Sequence, residues 1–294
     1  MSRRTGFARV SLEAVVVAVT DDRPRILTVG SETPALVSGD LDDDDTLELA
    51  MRRLITDQVG LSVGYVEQLY TFGDRARARA DGLRTVGVAY LVLTREVTTT
   101  GRWVDWYHLL PWEDRRGNAG SPVPGLMSGL ERWAGRDRER RRRVQLSFGI
   151  GETPWDGVRA LDRYELIYEA GLAAEWFVDH GEEPDDRDRF GEAMHLDHRR
   201  VAATALSRLR GKLSYRPVVF ELLPETFTLS HLRRTVESLA GQKLHAQNFR
   251  RLVERGGLVE GTGRMVTTGG RPAELFRFRR DVLMERPQVG VGRL

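Results

Sequence analysis

The sequence predicts an α+β protein with two domains joined by a helix. Three observations predict this class. Strand patterns with one helix among them fill the first 112 residues, helical patterns fill the middle, and two short helices followed by two strands lie near the end. A length of 294 residues is enough for about two domains. Hydrophobic residues make up 40% and charged residues 30%, which is typical of a folded globular protein.

The N-terminal third combines buried strands with one amphipathic helix. The apolar run from Glu13 to Val19 predicts a buried strand, and turn-forming residues follow it. A helix is expected from about Thr46 to Val59, because apolar residues recur there at three- and four-residue spacing. Further strands are predicted at Arg25–Val29, Tyr65–Phe72, Arg84–Leu93 and Arg102–His108. This order indicates a layered arrangement of helices and sheet.

The middle of the chain, residues 113–192, is predicted to be a helical insertion. Helical patterns begin near Leu126 and near Trp155, and the second is expected to run to Val178. The run Arg138–Arg143 is interpreted either as a nucleic-acid patch or as a solvated helix end. A connecting helix is predicted over His195–Leu213. At its start His195 and His198 flank Asp197, and for these two histidines a role at a helix cap or domain joint is favoured over a metal site.

The sequence pattern near the C-terminus predicts a winged helix-turn-helix. A helix is expected over Leu229–Ala240 with Thr228 as its cap, and a second helix over about His245–Arg255. Two strand-like pieces, Leu258–Glu260 and Leu275–Phe278, follow around a loop of Gly, Thr and Arg. A helix, a tight turn, a second helix and a hairpin in this order are typical of winged DNA-binding modules.

Charge and composition narrow the range of partners. Residues 1–112 carry 13 Arg against 16 Asp and Glu, whereas residues 214–285 carry 12 Lys and Arg against 8 Asp and Glu. The C-terminal part is therefore the better candidate for binding a polyanion. The chain has no cysteine, which excludes disulfides and thiolate metal sites and fits a cytoplasmic protein. No apolar stretch approaches the length needed to span a membrane.

A spaced sequence motif lies between Gly39 and Leu61 in the N-terminal part. Gly39 is followed after five residues by Asp45, and after seven more by the segment Arg53–Leu61. This spacing resembles the Nudix signature, whose helix carries carboxylates that bind divalent ions on a pyrophosphate. Here the corresponding helix face offers Leu54, Asp57 and Gln58, so only one formal charge remains. We therefore expect weak Mg²⁺ binding and no catalytic residues. Residual hydrolase activity is left open, because the carboxylates of residues 42–45 are alternative ion ligands.

Longer blocks resemble one family of regulators across nearly the whole chain. Gly64–Arg75, Arg84–Leu91, Tyr215–Pro224, Gln247–Arg251 and Gly270–Phe278 are similar to Nudix-related transcriptional regulators of NAD metabolism, of the NrtR and NadQ types. The resemblance implies a Nudix-like α/β/α sandwich over residues 1–192, with the helical insertion at 113–192. It also implies a connecting helix over 193–213 and a winged helix-turn-helix over 214–294.

The same resemblance implies a function. It implies a repressor of NAD biosynthesis genes that binds double-stranded operator DNA as a homodimer, without a cofactor. ADP-ribose is the effector implied by compact members of the family. This chain is longer than those members, so another adenine nucleotide such as ATP, or a molecule related to NAD, is also possible.

The second helix of the helix-turn-helix is expected to enter the major groove. Gln247 and Asn248 suit adenine, whereas Arg250 and Arg251 suit guanine or phosphate. The other DNA candidates are polar residues expected to contact phosphate or the minor groove. They are Arg233 and Arg234 on the preceding helix, and Arg264, Thr267 and Arg271 in the wing.

Ligand candidates lie in the Nudix-like part. Arg53, Arg75 and Arg84 are expected to bind phosphates, because a guanidinium pairs with phosphate oxygens without a metal. Arg53 is equally suited to bracing the loop of the motif. Asp57 is the carboxylate that remains on the motif's helix, and Tyr70 is a candidate for stacking on adenine.

Two other functions fit parts of the sequence. The first is an active Nudix pyrophosphohydrolase of the ADP-ribose type with an accessory winged helix; Leu54 and Gln58 argue against it. The second is an interaction adaptor whose winged helix binds no DNA, which the basic C-terminal part disfavours.

Overall fold

The computed structural model describes residues 8–42, 46–73, 84–117, 123–183, 189–267, 272–285 and 290–291. The strands are β1 (Ala8–Thr20), β2 (Arg23–Thr28), β3 (Val37–Asp40), β4 (Tyr65–Phe72), β5 (Arg84–Leu93), β6 (Arg102–Asp105), β7 (Val259–Val266) and β8 (Ala273–Phe278). The helices are α1 (Leu47–Val59), α2 (Trp106–Leu109), α3 (Leu126–Ala134), α4 (Arg138–Phe148), α5 (Ala160–Glu169), α6 (Ala174–Asp179), α7 (His198–Leu213), α8 (Leu229–Ala240), α9 (Ala246–Gly256) and α10 (Val282–Glu285). Short 3₁₀ turns lie at Pro111–Glu113, Gly157–Arg159 and Val218–Leu222.

The N-terminal strands form one mixed sheet in the order β4-β5-β1-β2-β6, with β3 also paired to β1. Strands β1 and β5 run parallel, and the other pairs are antiparallel. Side chains of β1 alternate between the two faces of the sheet. Leu12, Ala14 and Val16 enter one core cluster, whereas Val15 and Val17 enter the other. The sheet is therefore buried on both faces.

Helix α1 covers the first face. Thr46 caps its start by accepting a hydrogen bond from the Leu49 N–H, and Gly60 ends it in the left-handed conformation. Met51 and Ile55 are fully buried against the sheet. Burial of a side chain of this size contributes about 1.5–3 kcal/mol to folding. The predicted helix over this motif is confirmed.

The second face packs against α7, and α5 packs against α7 in turn. The buried side chains of these helices, of the sheet and of the winged helix belong to one continuous apolar cluster. The helical insertion is thus part of the layer behind the sheet rather than a separate appendage. Helices on both faces of a mixed sheet confirm the predicted α/β/α sandwich.

Several element boundaries differ from the predictions. The strand expected over Arg102–His108 ends at Asp105, because the Asp105 carboxylate caps a helical turn by accepting from the Tyr107 N–H at 2.9 Å. The helix expected from Leu126 into the arginine run is broken at Gly135 (φ 50°). The helix expected over Trp155–Val178 divides into a short 3₁₀ turn, α5 and α6. Strand β3 was not predicted.

The C-terminal unit has the predicted order of two helices and a hairpin. The Thr228 hydroxyl caps α8 by accepting from the His231 N–H at 3.1 Å, and Gly241 ends that helix with a φ of 69°. Phe227 pairs with Phe276 of β8, which adds a third short extended segment to the wing sheet. Within the described ranges, no helix is long and apolar enough to cross a membrane.

Candidate nucleic-acid interface and nucleotide pocket

Helix α9 buries one side and exposes the other. Phe249 and Val253 are its buried residues, and they anchor it in the core of the winged helix. The four predicted base-reading residues are all exposed on its remaining surface. They are Gln247, Asn248, Arg250 and Arg251. Phe249 and Val253 are four residues apart, so they lie on one side of the helix and leave the polar face free.

Local contacts orient three of these side chains. The Asn248 Oδ1 accepts a hydrogen bond from Arg251 at 3.5 Å, and the Arg250 Nε donates to Glu254 at 2.7 Å. Asn248 and Arg251 therefore act as a pair, one turn apart on the exposed face. An amide and a guanidinium side by side offer donors and an acceptor to the edge of a base pair.

The phosphate candidates on α8 contact other parts of the protein. Arg233 pairs with Glu237, whose carboxylate also accepts from the Leu244 N–H at 2.8 Å. Arg233 thus helps to hold the turn between α8 and α9. Arg234 lies 3.5 Å from the Asp22 carboxylate in the tight turn between β1 and β2. The structure therefore places Arg234 at the contact between the sheet and the winged helix.

The wing candidates are exposed where the structure describes them. Arg264 on β7 and Thr267 just after it both face solvent. The Arg264 backbone N–H donates to the Thr262 hydroxyl at 3.3 Å, which orders this part of the wing. Arg271 lies outside the described residues.

Side chains of α1 pack against the loop of the Nudix-like motif. A Cβ built on Gly39 would come within 2.7 Å of a Leu54 methyl group, so the loop rests directly on Leu54. The Gln58 amide donates to the Ser38 carbonyl at 2.7 Å. Asp57 remains exposed on the same helix. Leu54 and Gln58 therefore hold the loop, in positions where the Nudix signature has metal-binding carboxylates.

The described residues do not fit a magnesium site at this motif. Asp57 is the carboxylate left on the helix face, and Mg²⁺ requires several oxygen ligands in an octahedral arrangement. Across the described ranges, no group of three His, Cys, Asp or Glu side chains is arranged to hold a metal ion. Asp45 lies outside the described residues. Arg53 lies 3.8 Å from the Asp42 carboxylate at the loop of the motif.

The ligand candidates divide between the two faces of the sheet. Arg53 and Asp57 lie on α1, and strand alternation directs Arg84 of β5 toward the same face. The Arg84 guanidinium donates to the Gly73 carbonyl at 2.9 Å. Tyr70 is 56% exposed and contacts Phe72 edge-on, on the face that packs against α7. The structure does not bring Tyr70 together with Asp57, and Arg75 lies outside the described residues.

A buried ion cluster at the domain junction was not predicted. Glu113 is fully buried, and its carboxylate binds both Arg163 of α5 and Arg210 of α7. Burial alone would raise the pKa of Glu113, but the two guanidinium groups outweigh it and hold that pKa below its usual range. A buried carboxylate between two arginines stays ionised near neutral pH, so the cluster is an ion cluster under those conditions.

The cluster reaches the end of the first helix of the winged unit. The Arg210 Nε donates to the Leu239 carbonyl at 3.0 Å, and the Tyr107 hydroxyl donates to the Ser238 carbonyl at 2.6 Å. A Cβ on Gly241 would collide with the Glu113 carbonyl oxygen. Burial raises the pKa of Tyr107 to about 12, so its hydroxyl keeps its proton and donates at physiological pH. Sheet, insertion, connecting helix and winged helix therefore meet at Glu113.

A second contact joins the sheet to the winged helix. Asp21 and Asp22 adopt left-handed backbone conformations, with φ of 51° and 59°, in the tight turn between β1 and β2. The Ser238 hydroxyl donates to the Asp22 carbonyl at 2.7 Å, and Arg116 donates to the same oxygen. Left-handed conformations are costly for residues other than glycine, so the contact with α8 helps to hold this turn.

The connecting helix is held at both ends. At its start, the His198 Nδ1 accepts from the Leu36 N–H at 3.0 Å, and the ring is buried, which agrees with a role at a domain joint. Near its end, Lys212 pairs with Glu67 of β4, which also accepts from the Tyr65 hydroxyl. Burial opposes ionisation of Glu67, but these hydrogen bonds keep its pKa below the usual range. The helix is thus fixed to the strands of the sheet.

Comparison with known proteins identifies the C-terminal unit. Residues 219–278 match the family described as the NrtR DNA-binding winged helix domain. The chain is 37% identical over 85 residues to the "ADPR responsive transcriptional repressor NtrR" of Acinetobacter baylyi. This match covers 29% of the present chain, which spans about a third (34%) of the relative's length.

Solved structures show the fold of the whole chain. NrtR of Shewanella oneidensis, crystallised with a 27-mer DNA, matches with a TM-score of 0.56 and 21% identity, covering 94% of this chain and 96% of that one. A MutT/nudix family protein from Enterococcus faecalis matches with a TM-score of 0.56 and 13% identity, covering 95% and 89%. The chain therefore shares their fold, a Nudix-like α/β/α sandwich followed by a winged helix, as the sequence predicts.

Proposed function

Because residues 219–278 match the NrtR winged helix family, we propose that this chain is a DNA-binding transcriptional repressor of NAD biosynthesis genes. The observation that carries the proposal is helix α9, which is anchored by Phe249 and Val253 and presents Gln247, Asn248 and Arg251 to solvent. Such a helix fits the major groove of double-stranded DNA. A homodimer reading two half-sites is part of the proposal, since one winged helix makes few base contacts.

The proposed effector is ADP-ribose or another adenine nucleotide bound in the Nudix domain. The relative from Acinetobacter baylyi is named as ADPR responsive, which supports this choice. Arg53, Arg84 and Asp57 on the α1 face are the proposed contacts to phosphates and ribose, together with Arg75. The stacking role of Tyr70 requires a ligand that extends around the edge of β4, because Tyr70 lies on the other face.

We further propose that the domain binds its effector without efficient hydrolysis. Leu54 lies against Gly39 and Gln58 binds the Ser38 carbonyl, so neither position supplies an anionic oxygen. The observation that favours the alternative, an active hydrolase, is that Asp57 remains exposed beside the loop of the motif. Turnover of ADP-ribose with Mg²⁺ distinguishes the two, and a normal Nudix rate would favour the enzyme.

Effector binding is proposed to act on DNA binding through the junction. The winged helix is contacted at two places: Arg210, which binds Glu113, donates to the Leu239 carbonyl, and the Asp22 carbonyl of the β1–β2 turn accepts from Ser238. A ligand that binds one arrangement of sheet and winged helix more tightly shifts the population toward that arrangement. The shift in free energy is at most the difference between the ligand's binding free energies for the two arrangements.

The deciding experiment is a selection of bound duplexes from a random library with the full-length protein. The selected DNA is then titrated with ADP-ribose, ATP and NAD in separate arms. We expect a palindromic selected sequence that occurs upstream of NAD biosynthesis genes, and an affinity that one nucleotide changes at least fivefold. Enrichment of no sequence would overturn the regulator proposal. Selected DNA that responds to none of the nucleotides would overturn only the proposed effector.

A further inference from the structure

The arginine-rich start of α4 is the strongest charged surface that the proposed function leaves unexplained. From Arg132 to Arg143 the chain carries seven arginines against Asp137 and Glu139. Most of these arginines are exposed on α3, on the turn that follows it and on α4. We name the exposed set Arg136, Arg138, Arg140, Arg141 and Arg142 the α4 basic surface.

Some of these charges are oriented without being neutralised, whereas Arg140 lies 3.9 Å from the Asp137 carboxylate, which meets its charge. The Arg141 guanidinium donates to the Gly135 carbonyl, and Arg140 lies 4.8 Å over the ring of Trp133. A carbonyl or an aromatic ring fixes the direction of a guanidinium without cancelling its charge. Among the described residues, Arg138 and Arg142 form no ion pair, and the Arg143 charge is met by Glu169.

The position of these arginines opposes helix stability. Arg138, Arg140 and Arg141 lie at the start of α4, where the helix dipole is positive and favours acidic residues. Asp137 and Glu139 supply the favourable charges there, and backbone N–H groups that bind Asp137 lower the pKa of its carboxyl. Cations crowded at this end cost stability in the free protein, and a polyanion bound to them relieves that cost.

The α4 basic surface is connected to the helix-turn-helix. A Cβ on Gly149, at the end of α4, would lie 2.7 Å from the Trp155 backbone, so this end of α4 packs on the following loop. In that loop the Gly157 carbonyl accepts from Arg210 at 3.1 Å. Arg210 also binds the Leu239 carbonyl, just before the turn that leads to α9. The basic surface is therefore part of the same packed unit as the proposed DNA-reading helix.

From these observations we infer that the α4 basic surface binds the phosphate backbone of duplex DNA flanking the site read by α9. This inference rests on the proposed DNA-binding function and extends it to the helical insertion. The chemistry is that of guanidinium groups with phosphate oxygens, so binding there carries no base specificity. Its signature is a strong dependence on salt and on the length of the duplex.

The test uses the selected sequence centred in duplexes of 20 and 60 base pairs, with affinity measured across a range of NaCl concentrations. The variant Arg138→Gln with Arg142→Gln removes two surface charges. The control Arg95→Gln with Arg208→Gln removes two exposed charges elsewhere. On the long duplex we expect the first variant to reduce the slope of log affinity against log salt by about 2, since each phosphate contact contributes about 0.9. On the short duplex it should match the wild type.

Arg138→Lys with Arg142→Lys keeps the charges and should restore the wild-type slope, which separates loss of charge from loss of folding. Equal slopes for the variant and its control on the long duplex would overturn the inference while leaving the proposed function intact. If the wild type binds neither duplex, the proposed function fails, and the inference fails with it.

Discussion

Arg210 of the connecting helix binds the buried Glu113 carboxylate and, through its Nε, the Leu239 carbonyl at 3.0 Å. One side chain thus links the insertion boundary to the end of the first helix of the winged unit. Because Arg163 binds the same carboxylate at 2.5 Å, the position of α8 depends on two other helices. These contacts fix the end of α8 to α5, α7 and the start of the insertion.

Replacing Glu113 by Gln is expected to destabilise the fold by about 3–5 kcal/mol, because two buried arginines lose their counter-charge. Denaturant unfolding followed by circular dichroism measures the change. Glu152→Gln, at an exposed carboxylate, is the control and should stay within about 0.5 kcal/mol of the wild type. Equal stabilities for the two variants would show that the cluster contributes nothing.

The contribution of Glu113 to the free energy of unfolding should also depend on pH. Folding lowers the pKa of this carboxyl, so its stabilisation is present above the unfolded pKa of about 4.3 and is lost as pH falls through the folded pKa. We expect the stability difference between the wild type and Glu113→Gln to be constant near neutral pH and to shrink in acid. A difference that grows on acidification would contradict this assignment.

Two glycines with the same backbone angle provide a matched pair. Gly60 and Gly241 both have a φ of 69°, but a Cβ at 60 meets open space whereas one at 241 collides with the Glu113 carbonyl oxygen. We expect Gly60→Ala to cost about 1–2 kcal/mol from backbone strain. Gly241→Ala should cost clearly more and should also weaken DNA binding, because the end of α8 moves. Similar thermal unfolding shifts for the two would refute the close packing at 241.

The exposed face of α9 should determine DNA specificity. Replacing Gln247 or Asn248 by Ala is expected to cost about 1–3 kcal/mol for the selected sequence and to relax the preference at one base pair. Affinity for competitor DNA should change little. Arg255→Ala, near the end of the same helix, is the control. A uniform loss on all duplexes would indicate phosphate contacts instead.

Restoring carboxylates to α1 should create Mg²⁺ binding. The wild type is expected to show no change in melting temperature at millimolar Mg²⁺. Leu54→Glu with Gln58→Glu would place three carboxylates on one helix face with Asp57 and should be stabilised by the ion. Leu54→Ala with Gln58→Ala controls for loss of the loop contacts. A wild-type protein stabilised by Mg²⁺ to the same extent would contradict our interpretation of the motif.

Local sequence patterns predicted the layers of this fold well. Helices α1 and α8 each begin after a capping Thr and end at a left-handed Gly, so their limits follow from nearby residues. Helix α9 ends at the left-handed Gly257, but no side chain caps its start. The strand predicted over Arg102–His108 includes Asp105. Its side-chain cap, which starts α2, overrides that pattern.

The junction could not be predicted in the same way. Glu113 and Arg210 are 97 residues apart, and each lies in a polar stretch typical of a solvated surface. Their burial depends on how four segments pack, which no local pattern reports. Tyr70 shows the same limit within one strand: the sequence marks it as a strand aromatic, but a bulge between Gln68 and Tyr70 determines which face it occupies.

The Asp21–Asp22 turn also limits how the protein can change. Hairpin tips in solvent usually accept inserted residues, but this tip meets α8 through the Asp22 carbonyl, Ser238 and Arg116. One added residue there would push α8 away from the β1–β2 turn and so change the position of the winged helix relative to the sheet. In the proposed homodimer, lengthening this hairpin would therefore alter the spacing of the two α9 helices, and with it the half-site separation of an operator, while leaving every proposed DNA-contacting residue in place.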